Sequence, residues 1–145
     1  MGRKNSPSAN KELNELIAQY ETARAENRQL YLDGDQLADI ADQYAAGRKF
    51  NEAQEVITYG LHLHPDSTDL LVEQAYLYLD TGKIPLAKKV VESITDEYDT
   101  DVKMLKAELM LNEGQLENAR NVLDTIEDAD ELETIINIVY LYMDM

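Results

Sequence analysis

The sequence predicts an all-α fold, an α-α superhelix of antiparallel helix pairs, and three observations carry the prediction. Apolar residues recur three and four positions apart, as they do on one face of a helix. The same columns of residues return after 34, 32 and 32 positions, which is typical of a repeat architecture. The 145 residues include only six Gly and three Pro, too few for the many turns of an all-β fold.

The repeat is visible in several independent columns. Tyr44 is followed at these offsets by Tyr78, Met110 and Tyr142. Other columns share the offsets: Ala41, Ala75, Ala107 and Val139; Ala53, Ala87 and Ala119; Ile57, Val91 and Leu123. Columns that agree on one set of offsets indicate that each period is one structural unit.

Each period contains two amphipathic helices separated by a short break. The breaks fall at residues 47–49, at residues 80–83 and at Gly114. Pro85 lies in the first turn of a second helix, where its missing N–H is not needed, and Pro65 ends another second helix. Three polar residues are predicted as N-caps of the first helices: Asp35, Thr68 and Asp101.

The first period resembles the tetratricopeptide repeat. The residues that carry the resemblance are Leu37-x2-Ile40-Ala41-x2-Tyr44, Ala53-x3-Ile57 and Pro65. The second period keeps Ala75, Tyr78, Gly82 and Ala87 but has Asp99 in place of the Pro, and the third has Lys103 and Lys106 at two usually apolar positions. The resemblance extends over about residues 35–145 and implies a tetratricopeptide solenoid that binds proteins.

The predicted organisation has six segments. They are a disordered N-terminus (1–9), a capping helix and turn (10–33), three repeats (34–67, 68–99 and 100–129) and the first helix of a fourth repeat (130–145). Residues 131–145 are apolar around most of their helical circumference, so this helix should be covered on more than one side. We expect either that the repeat array continues or that this helix mediates self-association.

The net charge of −16 restricts the partners. Residues 1–34 are balanced, with five basic and five acidic residues, whereas residues 35–145 carry eight basic and 24 acidic ones. Such a surface repels nucleic acid and anionic membranes and attracts basic partners. The chain has no apolar stretch near ~18 residues and no secretory h-region, so a cytoplasmic location is expected.

The resemblance implies a concave groove lined by the first helices of successive repeats. The positions carried over are Asp35, Ala38, Asp42, Asp69, Val72, Tyr76, Leu79, Asp80, Asp101, Met104, Glu108, Leu111 and Tyr140. They predict an acidic rim and an apolar, aromatic floor; the alternative is that the acids are solvated helix positions. Family members that bind acidic chaperone tails use basic and amide side chains where this sequence has Ala38 and Asp42, so that ligand is not expected.

No catalytic, cofactor or metal site is predicted. The chain has no Cys, no G-x-S-x-G motif and no Gly-rich phosphate loop. His62 and His64 lie two positions apart, so their side chains diverge on a helix, and a surface role is predicted for both. The acidic stretches 96–101 and 127–131 lack the spacing of a calcium loop.

The sequence therefore predicts a non-enzymatic scaffold or adaptor that binds a basic or amphipathic polypeptide. One alternative is a structural or oligomerisation segment of a longer repeat protein, with no peptide in its groove. Another is a small acidic chaperone of the secretion type, since such chaperones are also built from these repeats.

Overall fold

The computed structural model describes residues 7–126, with side chains from Asn10 onward. This part of the chain consists of seven helices and contains no strand, so the all-α prediction is confirmed. The helices are α1 (Pro7–Ala25), α2 (Gly34–Ala46), α3 (Phe50–Leu63), α4 (Thr68–Asp80), α5 (Ile84–Ser93), α6 (Thr100–Asn112) and α7 (Leu116–Asp124). The chain divides into two compact units between Glu73 and Gln74, inside α4.

The first helix begins earlier than the sequence predicts. It starts at Pro7, so the prediction of disorder through residue 9 is wrong for residues 7–9. A proline is tolerated at this place because the first turn of a helix has no intrahelical use for its N–H. The predicted helix 131–145 and Tyr140 lie outside the described residues.

The first unit is built around the packed pair of α2 and α3. Its largest fully buried side chains on this pair are Leu37, Ile40, Val56 and Ile57. Helix α1 adds Tyr20 and Ala23, which are 5% and 2% exposed. Fully burying an aliphatic side chain stabilises by about 1.5–3 kcal/mol, so this pair supplies most of the unit's apolar stabilisation.

The second unit has a core between α6 and α7. Its buried cluster consists of Met104, Ala107, Ala119, Leu123 and Ile126. Ala87 and Val91 of α5, and Ile94 directly after it, are also buried residues of this unit. Ala87 and Ala119 are both completely buried, as the small-residue columns of the sequence predict.

The three turns between helices of a pair have the same hydrogen-bond geometry. Lys49 N–H donates to Tyr44 O at 2.8 Å, Lys83 N–H to Tyr78 O at 2.7 Å, and Gln115 N–H to Met110 O at 2.8 Å. Each bond spans six residues and closes a Schellman-type helix end. The repeat columns found in the sequence therefore correspond to a repeated backbone structure.

The left-handed residue of each turn explains an irregularity in the sequence repeat. Gly82 and Gly114 have φ values of 77° and 76°, and the equivalent residue in the first turn is Arg48 with φ 60°. Gly47, one position earlier, has φ −85°, a backbone conformation that does not require glycine. Arg48 therefore occupies the position at which the two later turns have glycine. The guanidinium group of Arg48 lies 5.3 Å from the centre of the Phe50 ring.

The N-caps differ from the predicted ones. Asp33 caps α2: its side chain accepts from Gln36 N–H at 2.9 Å, and Gln36 Oε1 accepts from Asp33 N–H at 3.1 Å. Asp99 caps α6 by accepting from Val102 N–H at 3.1 Å, and Ser67 Oγ accepts from Leu70 N–H at 3.3 Å. The predicted caps were wrong because the residues that cap these helices lie one or two positions before them.

The predicted caps instead lie in the first turns of their helices. Asp35, Thr68 and Asp101 are helical residues of α2, α4 and α6. An acidic side chain in the first turn still interacts favourably with the helix macrodipole, by about 0.3–1 kcal/mol. Asp35 and Asp101 therefore act at the helix start through their charge rather than as capping acceptors.

Replacing Asp33, the observed N-cap of α2, should destabilise the protein more than replacing Asp35, the predicted N-cap. We expect Asp33→Ala to lower the free energy of unfolding by about 1 kcal/mol, because the backbone N–H of Gln36 loses its acceptor at the helix start. Asp35→Ala, two residues away, should change it by less than about 0.5 kcal/mol. Urea unfolding followed by circular dichroism measures both, and equal effects of the two variants would contradict the capping box.

The turn geometry gives a second expectation. Gly82→Ala should destabilise by about 1 kcal/mol, because an alanine in the left-handed region meets its own backbone. Gly47→Ala is the matched control and should be near neutral at its negative φ. Thermal melts of both proteins distinguish them, and a Gly82→Ala protein as stable as the control would contradict the assignment.

Candidate functional site

Helix α1 is fastened to the helix pair of the first unit by tyrosines. Tyr44 Oη donates to Glu21 Oε2 at 2.5 Å, which ties α2 to α1. Burial and the hydrogen bond to Glu21 raise the pKa of Tyr44. Burial likewise raises the pKa of Tyr20. The ring of Tyr20 lies 6.3 Å from that of Tyr59 on α3.

The segment between α1 and α2 is held in an extended form by two side chains of the α3 region. Tyr59 Oη donates to Leu30 O at 2.9 Å, and His64 Nε2 lies 2.8 Å from Leu32 O. Tyr31 projects to solvent with 72% of its surface exposed while its ring meets His64 edge-on at 5.4 Å. The prediction of a plain surface role is therefore wrong for His64, which fixes this segment, whereas His62 is exposed.

An open depression of about 610 Å³ lies between α1 and α3. Its one basic side chain besides histidine, that of Arg24, already lies 3.9 Å from Glu55 and over the Tyr59 ring. No pattern in the sequence predicts this depression, because its residues come from the outward faces of two helices. Its lining residues are Arg24, Asn51, Gln54, Glu55, Thr58, Tyr59 and His62.

The predicted groove residues of the first unit have different exposures. Ala38 is completely buried and Val72 is 3% exposed, so both pack in the protein and have no side-chain surface for a ligand. Asp35 is exposed, and Asp42 and Asp69 are half-buried. Of this set, the carboxylates are therefore the accessible members.

The predicted groove residues of the second unit include both polar and apolar side chains. Met104 is 8% exposed and belongs to the core cluster of α6 and α7. Tyr76 and Leu79 on α4 are half-buried, as are Glu108 and Leu111 on α6. Asp80 and Asp101 at the ends of these helices are exposed. The accessible side chains of this set are therefore three carboxylates, one aromatic and two aliphatic side chains.

Lys103, an unexpected charge in the sequence pattern, has a structural role. Its Nζ donates to Thr125 O at 2.9 Å. That carbonyl belongs to the residue after α7, where the unpaired backbone oxygens of a helix end attract cations. The departure of the third repeat from the apolar pattern is therefore explained at this position.

The described part of the chain was compared with the requirements of a metal site and of a membrane-spanning helix. Within residues 7–126 no group of three His, Asp or Glu side chains is arranged to hold a metal ion. In the same range, no helix has the length and apolarity needed to cross a membrane. The buried side-chain nitrogen and oxygen atoms of this part all have hydrogen-bond partners.

Comparison with known proteins agrees with the helix-pair structure. Residues 44–109 match the family model described as Tetratricopeptide repeat, so the predicted resemblance is confirmed over this range. Domains of this type generally bind proteins or peptides and are generally non-enzymatic. Searches of curated proteins and of solved structures each found no match.

The tyrosine that fastens α1 predicts a pH dependence. Because the folded pKa of Tyr44 is raised, its contribution is present below the unfolded pKa of about 10 and is lost as the pH rises above that value. Tyr44→Phe should lower the free energy of unfolding by about 1 kcal/mol at neutral pH. Between about pH 9 and 11, however, the variant should lose less stability than the native protein does. Thermal melts across this range test it.

Glu21→Gln is the matched control for that experiment. It keeps an acceptor for Tyr44 while removing the neighbouring negative charge, which also raises the pKa of this tyrosine. We expect its alkaline loss of stability to lie between those of the native protein and Tyr44→Phe. Parallel pH curves for all three proteins would contradict the role of the Tyr44–Glu21 bond.

Proposed function

We propose that the protein is an adaptor whose second unit binds a basic or amphipathic polypeptide through the first helices of its repeats. The proposed surface consists of Tyr76, Leu79 and Asp80 on α4 with Asp101, Glu108 and Leu111 on α6. The carrying observation is that these side chains remain partly or fully accessible on two first helices, whereas Met104 of the same predicted set is buried.

The composition of this surface supports a basic partner. Its charged members are all carboxylates, and the chain as a whole has a net charge of −16. An acidic surface accelerates encounter with a cationic segment and disfavours anionic competitors. Lysine and arginine side chains can extend their aliphatic stems over Leu79 and Leu111 while their charged ends reach the carboxylates.

Tyr76, the aromatic residue of the proposed surface, supports a peptide as the ligand. Tyrosine is over-represented among the residues that dominate binding energies at protein interfaces, because it offers a large, rigid surface and a polar end. Tyr76 is half-buried, so its ring is already oriented by the protein and loses little conformational freedom on binding. An amphipathic segment would pair its apolar side with Tyr76 and Leu79 and its basic side with Asp101 and Glu108.

A labelled amphipathic lysine–leucine peptide tests the proposal by fluorescence anisotropy. Glu108→Lys should weaken its binding by about tenfold, because attraction at the surface becomes repulsion. Tyr76→Ala should weaken it by a similar factor through the lost ring contact. Circular dichroism checks that both variants remain folded.

The matched control is Glu117→Lys, which makes the same charge change at an exposed position on α7. It should leave the affinity within about twofold, because exposed charges more than about 10 Å apart are largely screened at 0.1 M salt. Equal losses for Glu108→Lys and Glu117→Lys would mean that the peptide responds only to net charge. Unchanged binding by Tyr76→Ala and Glu108→Lys would place the binding surface elsewhere.

A further inference from the structure

Helix α5 has an unusual charge distribution for its direction. Of the helices from α2 to α7, α5 alone has no acidic residue in its first turn. It begins instead after Lys83 and carries Lys88 and Lys89, while Glu92 lies near its end. Cations near the start and an anion near the end both oppose the helix macrodipole. Their placement therefore does not serve the stability of the helix itself.

These charges lie on the side of α5 that faces away from its core. Ala87 and Val91 are buried, and on a helix the residues two positions from Ala87, such as Pro85 and Lys89, point to the opposite side. We define the outer face of α5 as Leu86, Lys89 and Glu92, all three of which are exposed. Leu86 is 43% exposed, so the face includes an apolar contact.

The lysines in and next to α5 differ in whether they form an ion pair. Lys88 Nζ donates to Glu113 Oε2 at 2.8 Å, which directs this lysine towards the turn after α6. Lys83 and Lys89 are exposed and form no ion pair with any other residue in the range 7–126. The outer face therefore presents cations whose charge the described part of the unit does not neutralise.

The loop after α5 carries acidic side chains, opposite in charge to the lysines of the helix. Tyr98 is 86% exposed, the highest exposure among the large apolar and aromatic side chains of the described residues. Asp96 Oδ1 accepts from Tyr98 N–H at 3.1 Å, which orders the loop around the exposed ring. Glu97 beside it is also exposed. The loop thus offers an aromatic ring flanked by carboxylates.

The basic and acidic groups are symmetrically spaced. Lys89 and Glu92 are equally far from the point between residues 90 and 91, and so are Lys83 and Tyr98. A two-fold axis through that point would bring Lys89 of one copy opposite Glu92 of the other. It would also bring the start of one α5, where Lys83 lies, to the same end of the pair as the loop that follows α5 in the other copy.

We infer that the outer face of α5 is a self-association surface, on which the α5 helices of two copies pack antiparallel. A two-fold interface must be complementary to itself, with residue i of one copy against residue j of the other and the reverse. This face meets that condition because its first half is basic and its last half, with the following loop, is acidic. A purely acidic or purely basic partner would match only one half.

Sedimentation velocity of the full chain over a range of concentrations tests this inference. The native protein should form a concentration-dependent dimer. Lys89→Glu and Glu92→Lys should each weaken the dimer by about tenfold or more, because each turns two symmetry-related attractions into repulsions. Arg120→Glu, an exposed reversal on α7, should leave the dimer unchanged.

A mixture of the two single variants is the decisive measurement. A copy with Lys89→Glu offers two carboxylates, and a copy with Glu92→Lys offers two ammonium groups, so the mixture should form a heterodimer although each variant alone does not. The double variant Lys89→Glu/Glu92→Lys should dimerise like the native protein. Thermal melts confirm that each variant is folded.

Two results would overturn the inference. The first is a native protein that stays monomeric at the highest concentrations measured. The second is a dimer that Lys89→Glu and Glu92→Lys leave intact, which would place self-association on another surface, such as residues 131–145. Neither result bears on the peptide binding of Tyr76 and Glu108, which is measured separately by anisotropy.

Discussion

The close approach of the two helices in each pair is the constraint on which the described structure depends. In the first pair, Ala41 is 1% exposed and Ala53 is completely buried. A larger side chain at such a crossing would force the axes apart or displace its neighbours, at a typical cost of about 1–3 kcal/mol. Because the crossing is tight, Leu37 and Ile57 beside it are also fully enclosed.

That constraint also determines which side chains remain for other purposes. Once the small residues and their neighbours face inward, the 3.6-residue period of the helix assigns every other position an outward direction. Tyr76 and Glu108 are partly accessible for this reason, and Lys89 and Glu92 are exposed for the same reason. The surfaces proposed for a polypeptide and for a second copy are therefore set by the packing of the core.

The sequence predicts the helix pairs well because periodicity is a property of the core, which tolerates little variation. The ends of the helices were harder. Asp33 and Asp35 are equally good cap residues in sequence, and the choice between them depends on the reciprocal bond with Gln36. His64 was misjudged because its partner, Leu32 O, is a backbone atom 32 residues away, which no local pattern indicates.

The candidate site was predicted only in part. The groove positions follow from the family resemblance, which assigns directions to residues but does not determine what covers them. Ala38 and Val72 are therefore correct as members of first helices but are buried in this chain. The depression between α1 and α3 was missed because it depends on how an additional N-terminal helix packs, and periodicity does not contain that information.

The turn at Arg48 has a consequence for the order of folding. The pairs α4–α5 and α6–α7 close at Gly82 and Gly114, which adopt positive φ without strain, whereas α2–α3 closes at an arginine. Contacts close in sequence form early because little chain entropy is lost in bringing them together. The two glycine-closed hairpins are therefore the better nucleation sites. We therefore expect the first hairpin, which closes at Arg48, to form later than the other two.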